Sequence, residues 1–256
     1  MQLQDIVGKT VMVTGAAGGI GRVVVDSFVQ QGAHVAAVDC QHTVMDRFEQ
    51  NKQVTPFCID ISDIDAVEDV VDTIENKIGA IDILANVAGV LHLAEVDALA
   101  QEEWEQTFEV NATSLFLVTK AVSRRMKQRK QGSIVVVSSN AARMPRMSMA
   151  AYAASKAAAT MYTKCLGLEL AKYNIRCNVV SPGSTETNML RQLWTDENGR
   201  EQSIKGTQEA YRLGIPLQKL GQAQDIADTI LFLASERSGH MTMEDICVDG
   251  GATLGV

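Results

Sequence analysis

Short apolar runs alternate with longer amphipathic stretches along the whole chain. The runs at 9–13, 34–38, 54–59, 81–84, 132–138, 175–180 and 245–248 are rich in Val and Ile and read as buried strands. Between them lie helical stretches: one through Gln31, one capped near Ser62 and running to about Ile78, then 101–127, 150–172 and 224–234. Strand and helix alternate without a break. That order predicts an α/β fold, a single doubly wound parallel sheet of about seven strands with right-handed crossovers and helices on both faces. A single domain over 1–256 is expected, since the chain length suits one large α/β unit. Ligands of such a sheet bind outside the C-terminal strand ends.

Three local departures stand out. Asn111 lies inside the 101–127 helix, where its propensity is poor, which marks a kink, a buried hydrogen bond or a water site. The 150–172 helix is apolar on most faces, which suggests burial against a subunit interface as well as the sheet. The segment 184–212 is polar yet carries Met189, Leu193 and Trp194, and reads either as a lid over a pocket or as a surface helical hairpin.

The first strand runs into Thr14-Gly15-Ala16-Ala17-Gly18-Gly19-Ile20-Gly21 and then a helix. Strand, glycine-rich turn and helix open a dinucleotide-binding fold, because glycines admit a pyrophosphate to the backbone and the helix N-terminus offers free N–H groups. Gly15, Gly19, Ile20 and Gly21 are therefore cofactor candidates. Asp39, at the end of the second strand, is placed to bind the ribose hydroxyls of NAD and to repel the extra phosphate of NADP; Arg22 is the competing phosphate partner. Asp60 and Ile61 come after the third strand, where Asp60 can cap the next helix, meet the adenine edge, or do both. Asn86 to Gly89 closes the fourth strand with small residues that suit close approach of a cofactor.

The chemistry centres on Tyr152 and Lys156, four apart and so on one helix face. An ammonium beside a tyrosine favours the phenolate and makes it a base for an alcohol proton. Ser139 precedes that helix, at the end of an apolar strand, and offers a hydroxyl to the same substrate oxygen. Taken alone, a Tyr–Lys pair is better explained as a surface pair; the glycine turn changes that balance.

Charge and composition narrow the partners. A net charge of −8 argues against a nucleic-acid surface, and the basic cluster at 124–130 suits a helix C-terminus. The five cysteines and four histidines show no ligand spacing, so no metal is expected, and the cysteines read as reduced core residues of a cytoplasmic protein. No signal-peptide pattern or membrane-spanning run is visible. The hydrophobic fraction of 46% is enough for a sizeable core.

Together, Thr14-Gly15-xxx-Gly19-x-Gly21, Asn86-Val87-Ala88-Gly89, Asn111, Ser139, Tyr152-xxx-Lys156 and Pro182-Gly183 resemble the short-chain dehydrogenase/reductase family over essentially the whole chain. Val87 is a mild departure. The resemblance implies a Rossmann fold, catalysis by Ser139, Tyr152 and Lys156, and Asn111 completing a tetrad through a water linked to Lys156. It selects Ser139 over Ser138, which is one residue too far from Tyr152. It assigns Asn86, Gly89, Tyr152, Lys156 and Thr187 to the cofactor and implies a homotetramer. The stretches ARMPRMSMAAYAASKAA, IRCNVVSPGSTETNM and VDGGATLG further resemble members that oxidise a carboxylated cyclic dihydrodiol with NAD for catecholate siderophores. That implies a cationic partner for the carboxylate, with Arg146 and Arg143 as candidates. Met147, Met189 and Trp194 are candidates for apolar walls. Two rivals remain: a reductase of a ketone, sugar or carrier-bound thioester, and a non-catalytic dinucleotide-sensing protein.

Overall fold

The computed structural model describes residues 3–194 and 196–255. The elements in chain order are β1 (Thr10–Thr14), α1 (Gly19–Gln30), β2 (His34–Asp39), α2 (Thr43–Phe48), β3 (Val54–Cys58), α3 (Ile64–Lys77) and β4 (Ile81–Asn86). The second half comprises α4 (Gln101–Phe108), α5 (Ser114–Arg129), β5 (Gly132–Val137), α6 (Ala150–Leu170), β6 (Ile175–Pro182), α7 (Asn188–Arg191) and α8 (Gly199–Lys205). A two-stranded ribbon, β7 (Gly206–Thr207) with β8 (Arg212–Leu213), precedes α9 (Ala223–Ala234) and β9 (Asp245–Val248).

Seven strands pair in the order β3-β2-β1-β4-β5-β6-β9, all parallel. Parallel strands are covered on both faces, which is why β1 (TVMVT) is buried at every position. Successive side chains point to opposite faces. Val11 and Val13 join the core under α1 and α9, with Phe28, Ile226 and Ile230. Met12 joins the core on the other face, with Ile74, Val118 and Leu170 from α3, α5 and α6. The strand order reverses between β1 and β4, so a crevice opens where their C-terminal ends diverge. A buried bond from the Thr14 hydroxyl to Asn86 Oδ1, 3.2 Å, ties the two strands together at its floor.

Several expectations are refined here. The 101–127 helix is interrupted by a π-helical turn, Glu109–Thr113, which contains Asn111. Helix α3 is capped by Asp63, whose Oδ1 accepts from the Asp65 and Ala66 amides; Asp60 instead accepts from the Ser62 amide and hydroxyl. The short α2 was not expected from the pattern of apolar positions. The basic cluster binds across to α3: Arg124 pairs with Glu68, Arg125 with Asp72 and Arg129 with Glu75. Only Cys177 is fully buried; Cys40, Cys58 and Cys165 are exposed, so they are free thiols but not core residues. The 188–205 stretch forms two short helices over a small core of Leu190, Ile215, Leu220 and Ala252, into which Trp194 packs.

Candidate active site

The crevice widens into a cleft of about 1080 Å³ lined by the glycine turn, the ends of β2, β4 and β5, and the segment after β6. Its turn is built for close approach. Gly15 has φ +68°, and a Cβ there would stand 2.7 Å from the Ala88 backbone. A Cβ on Gly21 would collide with the Gly15 carbonyl, and one on Gly19 would come within 2.8 Å of the Thr187 methyl. Gly18, the N-cap of α1, makes no side-chain cap, so the first amides of that helix remain available to an anion. Gly15, Gly19, Ile20, Gly21, Asp39, Asp60, Ile61, Gly89 and Thr187 all line the cleft. Asp39 is buried and its carboxylate accepts from the Ala17 and Gln41 amides, both at 2.9 Å. Those bonds fix a negative group beside the glycine turn. Arg22 is exposed on α1 and does not line the cleft. Asn86 does not line it either, because its side chain is turned to Thr14. Thr187 is also the N-cap of α7, its Oγ1 accepting from the Leu190 amide at 3.3 Å. A glycine cradle that Cβ atoms would fill, next to open helix amides and a carboxylate, fits a nicotinamide dinucleotide.

Ser139, Tyr152 and Lys156 meet at the inner part of this cleft. Ser139 lies just after β5 and caps a 3₁₀ turn, its Oγ accepting from the Ala141 amide at 3.1 Å. Its hydroxyl also acts on the Tyr152 phenol, lowering the phenol's pKa. Ser138 is turned beneath α6, where its hydroxyl donates to the Lys156 carbonyl and pairs with Thr160. Lys156 is buried at 4% exposure and donates from Nζ to the Val137 carbonyl at 3.0 Å. Its ammonium lies 5.9 Å from the Tyr152 ring centroid. Burial lowers the Lys156 pKa to about 8. The expected depression of the tyrosine is not met in this arrangement: burial pushes the phenol above its ordinary value, and only the Ser139 hydroxyl pulls it back. The ammonium is aimed at the strand carbonyl, so its field reaches the phenol weakly.

Gly89 has a direct reason to be glycine: a Cβ would sit 3.1 Å from Lys156 Nζ and 3.2 Å from Asn111 Oδ1. Asn111 is buried and clasps Val90, accepting from its amide at 2.8 Å and donating to its carbonyl at 3.0 Å. It also donates to Ser155 Oγ at 3.0 Å. Its side chain does not line the cleft.

The two candidate arginines separate cleanly. Arg143 is outside the cleft, paired with Asp245 at 2.6 Å and bonded to the Asp245 carbonyl. It fastens the turn after β5 to β9 and is not positioned for substrate. Arg146 lines the cleft, half-buried, and its guanidinium makes no hydrogen bond or ion pair with any described residue. Met147 and Met189 line the cleft; Trp194 does not, donating instead to Ser203 Oγ.

A short chain dehydrogenase family description matches residues 9–198. The chain belongs to this family. A 2,3-dihydro-2,3-dihydroxybenzoate dehydrogenase of Bacillus subtilis is 53% identical, covering 100% of both chains. The enzyme of the same name from Escherichia coli is 43% identical, covering 98% of this chain and 99% of that one. Among solved structures, the ligand-free aldohexose dehydrogenase of Thermoplasma acidophilum superposes with a TM-score of 0.87 at 27% identity, covering 98% of this chain and 96% of that one.

This short-chain dehydrogenase is therefore an oxidoreductase that works with a nicotinamide cofactor. Among its described residues, no helix is long and apolar enough to cross a membrane. One cleft residue carries no signal in the sequence. Arg212, on β8, lines the cleft and donates to Ser184 Oγ at 2.8 Å. It sits in a polar stretch far from Tyr152, where no periodicity or motif singles it out.

Proposed function

We propose that this chain oxidises 2,3-dihydro-2,3-dihydroxybenzoate to 2,3-dihydroxybenzoate with NAD, for catecholate siderophore synthesis. The observation that carries the reading is the position of Arg146, a cation with no ion-paired partner among the described residues, in the cleft that holds Ser139, Tyr152 and Lys156. Such a group suits a carboxylated alcohol. The names of the full-length relatives support the same substrate.

A dinucleotide held by the glycine turn would supply the hydride acceptor. Tyr152 takes the proton of the C3 hydroxyl as the C3 hydride departs. Ser139 orients that oxygen and hydrogen-bonds it as it becomes a ketone. Lys156 holds its ammonium 5.9 Å from the tyrosine ring centroid, a weak bias toward the phenolate set against the penalty of burial. The ketone then loses its C2 proton and tautomerises to the catechol, and aromatisation makes the oxidative direction dominant. The carboxylate rests on Arg146. Asp39 selects NAD, since a phosphate beside that buried carboxylate would be repelled. We assign the protein to the cytoplasm as a homotetramer, in keeping with its free cysteines and with the exposed Phe116, Met161 and Leu168 on α5 and α6.

The test is to supply NAD and the dihydrodiol carboxylate and monitor reduced-nicotinamide absorbance together with catechol fluorescence. Both signals are expected to rise in step; neither rising, with NAD bound, would remove the substrate assignment. In Asp39→Ala the ratio of kcat/KM for NAD over NADP is expected to fall, and an unchanged ratio would remove the role given to Asp39.

A further inference from the structure

Three half-buried arginines of this chain have their charge disfavoured by burial: Arg146, Arg176 and Arg212. Arg176 is fully accounted for, since its guanidinium donates to the carbonyls of Leu233, Ala234 and Ser235 and to Ser238. The other two are not. Arg146 has no bonded partner among the described residues, and Arg212 uses one of its five donors, on Ser184. Both line the same cleft, close enough for the Arg146 charge to act on Arg212. A guanidinium does not deprotonate in proteins, so two of them facing one cavity repel unless an anion joins them. Asp249 acts on Arg146 through its field, but its carboxylate is committed to the Gly251 and Thr253 amides and to Asn140. Glu209 lines the cleft as well but is exposed.

We propose that Arg212 is a specificity-determining residue that forms, with Arg146, a two-armed clamp for the substrate carboxylate. The inference rests on the proposed substrate and adds a residue to its site. The arms come from distant parts of the chain: Arg146 from the turn before α6, Arg212 from β8. The Ser184 bond holds the Arg212 fork at the cleft and leaves donors over for a carboxylate. Charged hydrogen bonds of this kind contribute about 1.5–3 kcal/mol each, or roughly 10- to 100-fold in affinity.

The experiment measures equilibrium binding of 2,3-dihydroxybenzoate and of catechol, the same diol without the carboxylate, to the enzyme saturated with reduced cofactor. The wild-type protein is expected to prefer the carboxylate. In Arg212→Met that affinity should fall roughly 10- to 100-fold, with catechol and NAD affinities kept. Arg212→Lys, which retains charge without the fork, should fall between the two. Arg212→Met with an intact carboxylate preference overturns the clamp. So does equal loss of both diols or of NAD, which would make Arg212 a support of the fold. Wild-type turnover of the dihydrodiol carboxylate separates the two readings. No turnover with an Arg212-dependent preference removes only the substrate; turnover with an Arg212-independent preference removes only the clamp.

Discussion

Tyr152 and Lys156 each carry a penalty from burial, and the two penalties have separate readouts. The phenol lies above its ordinary value, so kcat/KM for the alcohol is expected to rise with pH through the alkaline range. Tyr152→Phe should abolish that rise and cut turnover by about 10²–10⁴ while NAD still binds; near-normal turnover would remove the tyrosine from the mechanism. Lys156 is held at about 8 when folded against 10.5 as a free side chain. The unfolded chain therefore binds more protons between those values, and this residue's contribution to stability rises as pH climbs from about 8 to 10.5. Below about 8 the penalty is present in full. Denaturant melts of the wild type should show this pH-dependent gain, on the order of 3 kcal/mol at most, and Lys156→Met should lack it. A pair of parallel curves would contradict the burial of a charged lysine. Spacing puts Tyr152 and Lys156 on one face, because four residues on a helix fix a face, and the glycine turn is what singles the pair out. Spacing says nothing about the Val137 carbonyl that holds the ammonium, because that partner belongs to a strand and depends on the tertiary fold. The resemblance favours Arg146 but leaves Arg143 open for the same reason, and the position of Asp245 separates the two.

At the scale of elements, the π turn shows how a distant loop reshapes a helix. Asn111 bonds both backbone groups of Val90, in the segment after β4, and the extra residue of the turn brings its side chain to them. Asn111→Ala would leave those groups without their partner, at about 1–3 kcal/mol for each that stays buried. The urea midpoint is expected to drop accordingly; an unchanged midpoint would mean that Val90 finds other partners. The strands were legible because parallel strands are continuous apolar runs. The break in the 101–127 helix was not, since local propensity registers a poorly placed Asn but not what it binds. Helix α2 and the β7–β8 ribbon are too short to show a period.

For the whole molecule, the order β3-β2-β1-β4-β5-β6-β9 divides the work of the site. The glycine turn, Asp39 and Ile61 sit on the first half of the sheet, whereas Ser139, Tyr152, Lys156 and Arg146 all lie between the end of β5 and the first turns of α6. Alternating elements made that architecture readable from sequence, while the presence of Arg212 and Arg146 in one cleft depends on how β8 lies relative to the turn before α6. The Thr14–Asn86 tie and the β4–β5 ladder are where the halves join. Time is the quantity this junction governs. Long-range pairing closes late, because loop entropy is lost before the contact forms. In a refolding experiment, affinity for the dinucleotide is expected to return before turnover, with the interval set by closure of β4 on β5. Simultaneous return of both would show that the two halves are acquired as one cooperative event.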